Sequence, residues 1–139
     1  MAKDTKVIDF QQDSGERETR RLRELPDRVI QGDPHHESTV FFTDEAGEVV
    51  AGTWTSTPGK WRAFTERDEF CHIVSGHVRL IGDDGTIRSF KAGDAFLIPN
   101  GFSGCWEVIE TTTKHFVVRH HKAHLLIART NGASISDQY

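Results

Sequence analysis

"AGDAFLIPNGFSG", residues 92–104, sets the apolar run Ala95–Ile98 between glycines and closes it with Pro99 and Gly101. A short apolar run bounded by glycine and proline reads as a buried strand ending in a rigid loop. The same grammar extends in both directions. Upstream, "STVFF" (38–42) and "EVVAGTWT" (48–55) flank "TDEAG" (43–47), a hairpin loop with glycine at its end. "KWRAF" (60–64) follows "TPG". "EFCHIVSG" (69–76), "HVRLI" (77–81) and "TIRSF" (86–90) come next, the last two joined by "GDDG". Glycine and aspartate tolerate the tight angles of such a turn. "CWEVI" (105–109) and "KHFVVRH" (114–120) continue the series, and "HLLIA" (124–128) is a candidate last strand. Nothing from 38 to 130 sustains helical periodicity. About nine closely spaced strands predict an all-β sandwich or barrel, and a small closed barrel has an interior wide enough for one small ligand.

At 139 residues the chain is sized for one domain with one core. No apolar run approaches a membrane span and no signal peptide opens the sequence, so a cytoplasmic protein is expected. Cys71 and Cys105 form neither a disulfide framework nor a zinc pattern, in keeping with a reducing compartment. A net charge of −4 without a basic patch argues against nucleic acid. The mixed-sign stretch "GERETRRLREL" (15–25) predicts a solvated helix or arm stopped by Pro26. The expected organisation is an arm over 1–25, a barrel over 26–130 and a tail over 131–139.

Two segments have the spacing of the cupin signatures. Glu69 and Gly76 match the second half of the first signature, and Gly93, Pro99 and Gly101 match the second. More narrowly, "IQGDPHHESTVFF", "GTWTSTPGKW", "GDAFLIPNGFSGCWEVIE" and "TKHFVV" resemble the small-cupin group that shares a domain with (S)-ureidoglycine aminohydrolase and the ethanolamine-utilisation cupin. The resemblance covers roughly residues 28–120. It implies an RmlC-like jelly-roll barrel that pairs as a homodimer. It also implies, as one alternative, a metal-dependent aminohydrolase.

The signature positions, however, lack the metal donors. The two histidine slots fall on Ala63 and Thr65, or on Arg62 and Phe64, and Gly104 stands where the last histidine would be. Of the usual set only Glu69 remains, and one carboxylate does not hold a divalent ion. Strand alternation puts His72 on the face opposite Glu69. No cofactor is therefore expected, and a divalent metal is disfavoured.

The signature assigns Glu69, Cys71 and Ile73 to the interior. Trp106 shares the face of Gly104, and Lys114, Phe116 and Val118 form the more apolar face of their strand. An inward Glu and an inward Lys must partner each other, because an isolated buried charge is prohibitively costly. Glu69, Lys114, Trp106, Cys71 and Phe116 are thus the candidate ligand-binding residues, for a small polar, nitrogen-containing metabolite. A bulge shifting the strand by one residue would instead turn His115 and Arg119 inward. The resemblance implies a basic group from this region acting on substrate. Catalytic residues are not assigned. Trp54 and Trp61 are expected in the core or at a dimer contact. The competing reading is a dimeric structural protein with a filled barrel.

Overall fold

The computed structural model describes residues 5–25, 27–63 and 66–121. Among the described residues nine strands run β1 (Glu16–Arg21), β2 (Val29–Gly32), β3 (His35–Thr43), β4 (Val49–Ser56), β5 (Gly59–Arg62), β6 (Arg67–Gly82), β7 (Ile87–Lys91), β8 (Ala95–Ile98) and β9 (Gly104–His120). The only helical turn among the described residues is a 3-10 turn over Leu22–Glu24. No helix among the described residues is long and apolar enough to cross a membrane.

The long strands β6 and β9 pair antiparallel along their whole length. The first part of β9 pairs with β5 on its other edge, and the later part pairs with β4. In the same way β6 pairs first with β8 and then with β7. One continuous sheet therefore bends over on itself, with β1, β3, β4 and β8 on one side of the bend and β2, β5 and β7 on the other. This is the all-β architecture expected from the strand pattern, and it is consistent with the jelly roll that the resemblance implies.

The bend sits where β6 and β9 slip register between Ile73 and Val78. Gly76 adopts φ +102° there, a conformation that disfavours any side chain. A Cβ would also strike the backbone of Thr111 and the hydroxyl of Thr112. Thr112 Oγ1 accepts the His77 N–H at 3.1 Å and donates to the Glu110 carbonyl at 2.7 Å, which pins the bulge. "EFCHIVSG" and "HVRLI" are consequently one bent strand rather than two, and so are "CWEVI" and "KHFVVRH". The "TDEAG" and "GDDG" turns lie where expected, held by Gly47 N to Asp44 O and Gly85 N to Gly82 O, both 3.0 Å.

The N-terminal reading needs correction. Residues 16–21 are a strand on β3, running from Glu16 opposite Val40 to Arg21 opposite His35, not a helix. Alternating burial along "ERETRR" is what that pairing requires. Leu22 follows at 0% exposure within the core cluster, so the segment contributes to the interior. Pro26, the segment "HLLIA" and the tail over 131–139 lie outside the described residues.

Candidate functional site

Alternation along β6 turns Arg67, Glu69, Cys71 and Ile73 inward, and along β9 it turns Trp106, Val108, Lys114, Phe116 and Val118 inward. His115 is half-buried on the outer face and Arg119 is exposed, so the parity with Lys114 inward is the one adopted. His115 Nδ1 lies 2.9 Å from Thr53 Oγ1 on that outer face. Burial, and then His72 beside it, lower its pKa.

Lys114 sits opposite Ile73, while Glu69 lies two inward positions further along β6. The lysine chain therefore runs along the barrel past Cys71 to reach the carboxylate. Its Nζ donates to Glu69 Oε2 at 2.5 Å and lies 3.7 Å from Cys71 Sγ. The Cys71 thiol donates to the same Oε2 at 3.3 Å. Arg67 approaches Oε1 at 3.6 Å. Lys114 is 1% exposed and Glu69 3%, so the two charges neutralise each other in a desolvated interior. Burial, and then the Glu69 charge, push the Cys71 thiol well up, which keeps it protonated and non-nucleophilic.

Aromatic rings close over the ammonium. The ring centroids of Trp106 and Trp54 lie 4.2 and 4.5 Å from Nζ, within cation–π range. Trp54 faces Lys114 directly across β4 and β9, and Trp61 faces Trp106 across β5 and β9. Trp61 stacks on Trp106 with centroids 6.5 Å apart, and the His36 ring meets Trp54 and Trp61 edge-on at 5.0 and 4.8 Å. Trp54 and Trp61 are thus interior walls, as a core placement implies, and not surfaces for a partner.

A cleft lined by Arg28, Arg67, Glu69, Lys114, His36, Ala63 and the three tryptophans opens above this cluster. Its free centre is about 10 Å³, the room of one water. Of the five candidates, Glu69, Lys114 and Trp106 line the cleft. Cys71 lies beneath it, bonded to Glu69. Phe116 does not line it. Its ring packs in the core over Gly52, its cross-strand neighbour.

Sequence reasoning missed Arg67, His36 and Arg28. Alternation alone places Arg67 on the face of Glu69, and His36 is signalled the same way once β3 is extended to include it. Arg28 carries no such signal, since it lies just after Asp27 at φ 57°, outside any strand. Burial first, then Arg67 and Arg20, push its guanidinium down to about 9, so it stays charged at neutral pH.

The residues present do not fit a divalent ion. The Lys114 ammonium already takes the motif glutamate, and Arg67 adds a second cation. Position 104 cannot supply a ligand either, because a Cβ there would collide with the Ile81 carbonyl and the Gly82 backbone. Among the described residues no three His, Cys, Asp or Glu side chains converge as a metal set.

Fold and interior together define a cupin. Residues 43–116 match the EutQ-like cupin domain, and the chain belongs to that family. The ethanolamine utilization protein Q of Salmonella typhimurium LT2 aligns with a TM-score of 0.55 at 20% identity, covering 61% of this chain and 69% of that one. EutQ of Clostridium difficile gives 0.57 at 19% identity, over 73% and 69%. A DUF861-family protein of Pseudomonas syringae pv. tomato str. DC3000 gives 0.62 at 24% identity over 67% of this chain, which spans only 40% of that larger protein. At these identities the likeness is one of fold. No curated protein matches the chain in sequence.

Proposed function

We propose that the barrel is a metal-independent binding domain for a small, polar, nitrogen-containing metabolite that carries a carboxylate. The observation behind this reading is the charge of the cleft. Arg28, Arg67 and Lys114 bring three cationic groups to it against the single carboxylate of Glu69, counting the described lining residues. An incoming carboxylate would meet two guanidinium groups suited to bidentate hydrogen bonding. The tryptophan faces and His36 would then enclose the rest of the ligand. Because the free centre is water-sized, entry requires Arg28, Arg67 or Trp61 to move.

That small volume also favours a second reading, a barrel filled by its own side chains with a structural ion pair. Thermal melting of the purified protein against zwitterionic amino acids and ureido- or amide-bearing carboxylates, with chloride as ionic control, separates the two. The binding reading expects at least one member to raise the melting temperature, with the response lost in Arg67→Gln. A flat response across the set would leave the filled barrel.

We also propose that two copies pair through the outer face of the β8–β6–β9–β4–β3 sheet. Leu97, Phe70, Val117, Ala51 and Phe42 stand in one cross-strand row there. All but Ala51 are exposed. Such a row on a sheet face suits burial against a symmetric copy. Light scattering at micromolar concentration should report a dimer mass, and Phe70→Lys should reduce it to the monomer. A monomeric parent would overturn the pairing.

A further inference from the structure

Trp54, Trp106 and Glu69 surround the Lys114 ammonium on three sides: two indole faces at 4.5 and 4.2 Å and a carboxylate oxygen at 2.5 Å. Indole faces present negative charge density, and a box of them with a carboxylate at its base is a recognition site for alkylammonium groups. A hydrated divalent ion, by contrast, needs several oxygen or nitrogen donors arranged around it. The carboxylate in the box is the motif glutamate, the one position of the metal signature that this chain keeps.

We infer that the Trp54–Trp106–Glu69 box is an ammonium site, occupied by the chain's own Lys114, and that this ammonium replaces the divalent ion the motif glutamate would otherwise ligate. The barrel carries its cation covalently. The ligand class of the emptied box is a primary alkylammonium and not a divalent metal. This rests on the surroundings of Lys114 alone and does not depend on the cleft binding a metabolite.

Truncating the lysine tests it. Lys114→Ala removes three methylene groups and the ammonium, which together are the outline of propylammonium. A ligand that binds only the folded state raises its melting temperature with concentration. Lys114→Ala is expected to melt below the parent and to recover several degrees with millimolar propylammonium chloride. Equal ionic strength of sodium chloride, and zinc or manganese chloride, should give no such recovery. The parent, with its box filled, should not respond to propylammonium. Lys114→Met combined with Glu69→Gln, which removes both charges and refills the space, should not respond either.

Should Lys114→Ala aggregate, the yield of soluble protein refolded with and without propylammonium gives the same comparison. Recovery by sodium chloride alone, no recovery by propylammonium, or stoichiometric uptake of a divalent metal by Lys114→Ala or the parent would each overturn the inference. Failure of the metabolite screen above would leave it standing, and its own failure would leave the metabolite reading open.

Discussion

Lys114 and Glu69, 45 residues apart in sequence, meet at 2.5 Å in a part of the barrel from which solvent is excluded. Breaking one side of such a pair strands a charge. Lys114→Met or Glu69→Gln alone should therefore cost about 3–5 kcal/mol, against about 1 kcal/mol or less for an exposed pair. The double variant should recover much of that loss, with a coupling energy well above about 1 kcal/mol in denaturant melts. Simple additivity of the two single effects would show that the charges do not depend on each other.

The segment over 16–25 is structural. Leu22→Ala should destabilise by about 2–5 kcal/mol, the usual cost of emptying a core leucine site. Deleting residues 1–25 should cost more, because it also strips β1 from the edge of β3. Urea denaturation measures both. A truncated chain as stable as the parent would return the segment to the status of an arm.

Gly104→His places an imidazole in the slot where the cupin signature has one. Here the Ile81 carbonyl and the Phe102 ring leave no room for its Cβ. The variant is expected to lose stability, by about 1–3 kcal/mol or more, and to gain no metal. Elemental analysis together with a melt decides: a stable, metal-loaded variant would refute the steric argument.

Cys71 gives the fold an alkaline weakness. Its thiol is raised in the folded state, by burial first and the Glu69 charge second. Folding thus favours the protonated thiol. The contribution is complete below the ordinary thiol value of about 8.5 and is lost as pH rises through the folded one. Melting temperatures between pH 7 and 10 should fall more steeply for the parent than for Cys71→Ala. Parallel curves would remove the thiol from the account.

Much of this was legible in the residues. Period-two alternation needs only that a strand stay regular to the end of the run, and β6 and β9 do so on either side of their bulges. Anchored on Glu69 it carried Cys71 to the interior, anchored on the Gly104 slot it carried Trp106, and the apolar face shared with Phe116 and Val118 carried Lys114. Phe116 shares the parity but does not line the cleft, since alternation tells which face a side chain takes and not how far along the barrel it lies. The Glu16–Arg21 strand was illegible because its solvent face and its edge position leave it charged on both sides of the pattern. Arg28 was illegible because it is placed by a turn.

The bend at Gly76 makes both long strands common property of the two halves of the barrel. Each half therefore holds part of the same β6–β9 pairing, which runs through the bend. Opening should be all-or-none: amides of β6 and β9 before and after the bulge are expected to exchange with deuterium at one shared free energy. Two distinct values would mean that the halves breathe separately. With one, any molecule reaching the Lys114 box enters by side-chain motion at the rim, while the wall behind it stays shut.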